Sequence, residues 1–76
     1  MDIKEFISNF ADQFDYVDAS ALTPETKFKN LDNWNSLVAL SVIAMIDEEY
    51  DVTVKGNDII GANTIEDLFN IVSERA

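Results

Sequence analysis

The chain has 76 residues with no cysteine and no histidine, so one compact domain over 1–76 is expected, with no disulfide framework or thiolate zinc site to staple it. Fifteen Asp and Glu against five Lys and Arg give a net charge of −10, which disfavours nucleic acid and anionic membranes and favours partners with basic surfaces. Acidity of this kind can mean disorder, but 47% apolar residues, including five Phe, one Trp and two Tyr, is core material for a folded domain.

In chain order, Ile3, Phe6, Ile7, Phe10 and Phe14 recur at helical spacing, and Asp2 is placed to cap the first turn. The spacing predicts a helix over 2–14. Residues 15–35 show no sustained period, and a connection of that length is usually functional or held down by its own side chains. Leu22, Phe28, Leu31 and Trp34 are the expected anchors, and Thr23-Pro24 suits a short helical turn. From 36 to 50 there is no Gly or Pro, and Leu37 to Ile46 is interrupted only by Ser41, which predicts a helix buried over a wide arc. The β-branched Val38, Val42, Ile43 and Ile46 would also suit a strand, but the length and the charged exit Asp47-Glu48-Glu49 favour helix.

Val52-Thr53-Val54 alternates like a strand, yet no second such segment exists to pair with it, so an extended link is expected. Residues 57–61, bracketed by Gly56 and Gly61, form one or two helical turns. Thr64 then caps a last helix, with Asp67 completing a capping box and Ile65, Leu68, Phe69 and Val72 as its inward stripe. The expected fold is an all-α small four-helix bundle, with three longer helices, one short one, and a long loop between the first and second.

Chemistry has few places to reside. Without histidine or cysteine the commonest general base, metal ligands and nucleophile are missing, so the chain is not expected to be an enzyme. Residues 51–62 put Gly56 at the sixth place of a calcium loop, but Lys55 falls at the fifth and Ala62 where a bidentate Glu belongs. No metal site is expected. Glu48 and Glu49, adjacent on a helix, point in different directions and read as a solvated face. No run of about eighteen apolar residues occurs, and Met1-Asp2-Ile3-Lys4-Glu5 lacks the basic-then-apolar pattern of a leader. A cytoplasmic protein without membrane insertion is expected. What remains is Ser36, which follows the long loop and opens the most apolar helix, where free N–H groups and the positive dipole end favour a phosphate. A serine there serves equally well as a helix N-cap.

The stretch Leu31-Asp32-Asn33-Trp34-Asn35-Ser36-Leu37, followed by an apolar helix ending Asp47-Glu48-Glu49-Tyr50-Asp51, resembles the acyl carrier protein family. The signature of that family is Asp-Ser-Leu at the start of the second helix, and Asn35-Ser36-Leu37 is the matching tripeptide. The likeness covers nearly the whole chain, through the short third helix to a fourth opening Thr64-Ile65-Glu66-Asp67. It implies that a phosphopantetheinyl transferase attaches 4′-phosphopantetheine, from coenzyme A, covalently to Ser36. A monomeric carrier would then present acyl thioesters to enzymes of fatty acid biosynthesis or related lipid metabolism, such as ketosynthases, acyltransferases or adenylating ligases. The family shelters its acyl chains between helices; Leu40, Val42, Ile43 and Ile46 fit such a pocket and fit an ordinary core equally well.

Three positions depart from the family pattern. Asn35 replaces the usual Asp, and Val38 and Ser41 stand where acids are common. The resemblance makes Asn35, Leu37, Val38, Ser41, Asp47 and Glu48 the partner-binding residues. With an uncharged front, docking would rest on apolar contact there and on Asp47, Glu48 and Glu49 further along. Carriers of specialised pathways (polyketide, lipid, cell-surface sugar acylation, or aminoacyl) are the alternative within the family. Outside it stands an unmodified acidic helical interaction module in which Ser36 only caps a helix.

Overall fold

A computed structural model describes residues 2–15 and 17–76; Met1 of the amino-terminal stretch and Tyr16 of the first loop lie outside the described residues. Four α-helices follow in order, α1 (Ile3–Ala11), α2 (Ser36–Tyr50), α3 (Gly56–Gly61) and α4 (Ile65–Arg75), with single 3-10 turns at Ala19–Ala21 and Phe28–Asn30. There is no strand among the described residues.

Asp2 caps α1 as expected, its carboxylate accepting from the Lys4 N–H at 3.0 Å, and Phe6, Ile7, Phe10 and Ala11 are buried. The helix stops at Ala11 rather than continuing to residue 14. Gln13 and Phe14 donate to the carbonyls of Phe10 and Ala11 at 3.1 and 3.0 Å, so the last turn tightens to i→i−3 bonds. The last turn of α1 holds no basic residue, and Asp12 and Asp15 beyond it face the negative end of the helix dipole, which opposes elongation. Phe14 nevertheless reaches the core, from the turn.

The long loop is pinned, as its apolar residues imply. Leu22 and Phe28 are buried, and Leu31 and Trp34 pack against the core. The backbone adds a second attachment. The carbonyls of Pro24 and Thr26 accept from Glu66 and Ile65 at 2.9 and 3.1 Å, satisfying two amides that the first turn of α4 would otherwise leave without partners. Residues 23–26 form a β-turn closed by Thr26 N–H to the Thr23 carbonyl at 3.0 Å. This replaces the helical turn anticipated at Thr23-Pro24, because the Thr26 hydroxyl accepts from the Thr23 N–H at 2.8 Å and holds the turn shut. Helical turns form instead on either side of it, the first capped by Asp18, whose carboxyl is held below its ordinary range by the Ser20 N–H.

α2 is the longest helix, yet only Val42, Met45 and Ile46 are buried. The wide buried arc expected from its composition is not formed: Leu37 is 73% and Leu40 62% exposed. Helix α3 has six residues against fifteen in α2, so it spans about 9 Å against about 22 Å and cannot cover the front of its neighbour. At its far end α2 terminates on Asp51 in the left-handed conformation, φ 55°. Asp51 stands there among Asp47, Glu48 and Glu49 at the negative end of the dipole, with no basic residue in the last turn. Asp51→Gly removes both the steric cost and one repelled charge, and is expected to raise stability by roughly 1 kcal/mol. A urea midpoint that is unchanged or lower would contradict this.

Val52 and Val54 are buried with Thr53 exposed between them, giving the anticipated extended link. α3 begins at Gly56 and ends at Gly61, taking in both glycines. The α4 box forms as expected: Asp67 N–H donates to the Thr64 hydroxyl, and the Asp67 carboxylate accepts from Thr64 N–H, both at 3.1 Å. The Thr64 and Asn63 amides, both donating to it, hold the Asp67 carboxyl below its usual range. Ile65, Leu68 and Val72 are buried, and Phe69 packs half-buried against the same core.

Arg75 at the end of α4 grips Asp58 of α3 with two bonds of 2.8 Å. This guanidinium, helped by the Lys55 N–H, lowers the Asp58 pKa from 3.8 to about 2. A depressed carboxyl contributes stability that is complete above its unfolded pKa and is lost as pH falls through its folded one. The melting-temperature difference between wild type and Asp58→Asn is therefore expected to be constant at neutral pH and to vanish between about pH 4 and about pH 2. A difference that persists below that window would show that the ion pair is not its source.

Candidate carrier site at the start of helix α2

Successive tight turns deliver the chain to Ser36. Asn30, Leu31 and Trp34 donate to the carbonyls of Lys27, Phe28 and Leu31 at 2.9, 3.2 and 3.0 Å. Trp34 is fixed by aromatic contacts: its ring stacks on Phe10 with centroids 6.4 Å apart and meets Phe28 edge-on at 5.0 Å. Asn35 then adopts extended backbone and becomes the N-cap of α2, its side-chain oxygen accepting from Val38 N–H at 2.9 Å. This assigns the cap. Ser36 is the first helical residue, exposed, and its hydroxyl has no hydrogen-bond partner among the described residues. An exposed hydroxyl at the positive end of a fifteen-residue helix, not consumed by capping, is free to form a bond to a phosphate.

Two openings of opposite character flank the first half of α2. On the α3 side, Ser36, Leu40 and Ile43 face Trp34, Ile59 and Ile60 across an apolar groove of about 490 Å³. Among the described residues Lys29 is the one charged side chain lining it. On the α1 side, Leu37, Val38 and Ser41 line a cleft of about 420 Å³ that also holds Asp15 and Asp32. Further along that seam come Asp12, Glu48 and Glu49. Of the residues grouped as partner-binding, Leu37, Val38 and Ser41 share the α1-side cleft and Asn35 lines both openings, whereas Ser36 opens onto the groove with Leu40. Val38 and Ser41 are half-buried, while Asp47 and Glu48 are exposed. Of the four helix residues considered as pocket or core, Val42 and Ile46 are fully buried, and Leu40 and Ile43 line the groove.

Lys29 and Ile60 are site residues that sequence reasoning did not reach. Ile60 is 72% exposed; the signal for it was the adjacent pair Ile59-Ile60, which a helix of six residues cannot bury on both sides. Nothing in the sequence connects Lys29 with α3.

The protein-family model described as a phosphopantetheine attachment site matches residues 5–72. The chain belongs to that family. No curated protein matches it. Membership makes this a domain for covalent attachment of 4′-phosphopantetheine, and the residues present fit the group: an exposed unengaged hydroxyl, a helix N-terminus to receive the phosphate, and an open apolar groove beside both. A phosphopantetheine carrier works with a transferase that attaches the arm and with enzymes that act on acyl groups. None of its described helices is long and apolar enough to cross a membrane.

Proposed function

We propose that Ser36 is the attachment residue and that the protein is a monomeric, non-catalytic carrier of apolar acyl groups for fatty acid or related lipid or polyketide biosynthesis. The observation that carries this reading is the division of labour between neighbours: Asn35 caps the helix, so the Ser36 hydroxyl is left free at the mouth of the groove. The arm supplies a terminal thiol that holds an acyl group as a thioester. The Ser36 and Leu37 amides, which precede the first intrahelical bond, favour the phosphodiester next to the hydroxyl. Leu40, Ile43, Ile59 and Ile60 offer the chain an apolar surface.

The groove also distinguishes between cargoes. Among the described residues no carboxylate lines it, so the ammonium of an aminoacyl group would lose water there without gaining a counter-ion, which is costly. A hydrocarbon chain loses nothing and buries apolar area. For partners, Leu37 and Leu40 are exposed apolar residues flanking the start of α2 on its two sides, with Asp47 and Glu48 about 10–17 Å further along the helix. An enzyme surface that is apolar at its mouth and basic at that distance would match both.

Octanoyl and alanyl groups loaded on the arm test the cargo reading. The octanoyl form is expected to change the emission of Trp34, which lines the groove, and to slow attack on its thioester by hydroxylamine; the alanyl form should do neither. Equal effects of the two would remove the preference for apolar cargo.

A further inference from the structure

We propose that Lys29 and Arg75 limit how long a chain the groove can shelter, by tying α3 down beside α2. The inference rests on the carrier reading, but its first test does not.

Beneath the groove there is nothing to enter. Val42, Ile46 and Ala62 are fully buried and Ile59 nearly so, so the space beside Ser36 is a surface furrow over a closed core. A chain longer than the furrow is sheltered only if α3 moves away from α2. What holds α3 in place is unusually easy to enumerate. Its six residues include one buried side chain, Ile59, and a helix of that length has little stability of its own. Among the described residues, two cations reach in from other elements to tie it further. Lys29, from the long loop, donates to the Ile60 carbonyl at 2.7 Å. Arg75, from the end of α4, binds Asp58 through both nitrogens at 2.8 Å and the Thr53 carbonyl at 3.1 Å.

Those are two of only five cations in a chain of net charge −10, and they tie the same short helix to two different elements, the long loop and α4. Exposed ties of this kind add little to global stability. They act on local opening, whose free energy for so short an element is small to begin with. Arg75 lies outside the groove lining and Lys29 within it; both act here as positioning residues that set the distance between Ile60 and Leu40, and the Arg75 variant tests this without altering the groove surface.

The test uses Lys29→Met and Arg75→Met, which keep the aliphatic stems, and Asp58→Asn, which removes the charge from the pair while leaving an oxygen to accept the Lys55 N–H. In the unloaded protein, each variant is expected to speed hydrogen exchange at the Ile59 and Ala62 amides about fivefold, the upper end for an exposed pair of good geometry. The Leu68 amide of α4 should be unchanged. Arg75→Met and Asp58→Asn combined should give no more than Arg75→Met alone, since losing the guanidinium already removes the Asp58 pair along with the Thr53 contact. After loading, the protection of a dodecanoyl thioester from hydroxylamine, relative to a hexanoyl one, should rise by a similar factor in the Lys29 and Arg75 variants. Unchanged exchange at Ile59 and Ala62 would overturn the clamps. Faster exchange with an unchanged dodecanoyl-to-hexanoyl ratio would overturn their role in chain length. Failure to load at Ser36 would overturn the carrier reading and that role with it, while the exchange rates would still decide whether the clamps hold α3.

Discussion

Ser36→Ala is expected to abolish attachment of phosphopantetheine completely and to leave the fold unchanged. Incubated with coenzyme A and a broad-specificity phosphopantetheinyl transferase, the wild-type chain should gain the mass of one arm, and the variant none. The helix should not register the change, because Ser36 is exposed and Asn35 rather than Ser36 holds the Val38 N–H. Exposed substitutions of this kind usually stay within about 0.5 kcal/mol. Asn35→Ala is the informative partner. It removes the cap, costing about 1 kcal/mol, yet keeps the hydroxyl, so that variant should still be modified. The pair separates two roles that adjacent residues could share. Modification that survives in Ser36→Ala, or that maps to Ser8, Ser20, Ser41 or Ser73, would remove the basis for the site.

The same pair shows which features of the site could be read from the chain. Asn35 looked like a departure from the family pattern, with its consequence open. Asn is as good an N-cap as Asp, so the departure preserves the one function that local geometry demands and frees the serine. The Thr64–Asp67 box was legible for a similar reason: both partners lie within one turn, and nothing distant can overrule them. Where the outcome depended on distant partners, composition misled. Leu37 and Leu40 are as apolar as Val42 and Ile46, but only the latter pair is buried; Leu40 faces α3, which is too short to cover it, and Leu37 lies on the α1 side. The groove therefore exists through a shortage of covering structure, which periodicity along α2 cannot reveal. The stop of α1 at Ala11 was equally hidden, since Phe14 keeps its place in the core from a turn. Most remote of all were the ties on α3. Lys29 and Ile60 are 31 residues apart, and Arg75 and Asp58 17.

Phe28→Ala is expected to have the largest effect on stability, and the reason lies in the loop that precedes the site. Phe28 is completely buried and meets Phe10 and Trp34 edge-on at 5.5 and 5.0 Å. It joins α1 to the segment that leads into α2. Removing such a ring costs about 3–5 kcal/mol, whereas a chain of 76 residues has about 4–11 kcal/mol in total. The variant should be largely unfolded or close to it, with a urea transition shifted strongly down by far-UV circular dichroism. Phe28→Leu fills most of the space and should cost under about 1.5 kcal/mol if the neighbours repack, so it keeps the question answerable when the alanine variant does not fold. In Phe28→Leu the rings of Phe10 and Trp34 lose an aromatic partner while Asn35 keeps its bond from the Val38 N–H and Ser36 stays exposed. Transferase modification should therefore proceed, more slowly if the turns from Lys27 to Trp34 loosen. The alternative is that the loop merely lies on a bundle complete without it. A loss below about 1 kcal/mol for Phe28→Ala, far short of the cost of an emptied aromatic site, would establish that alternative, and the turns leading to Ser36 would then owe their shape to the helix rather than to the core.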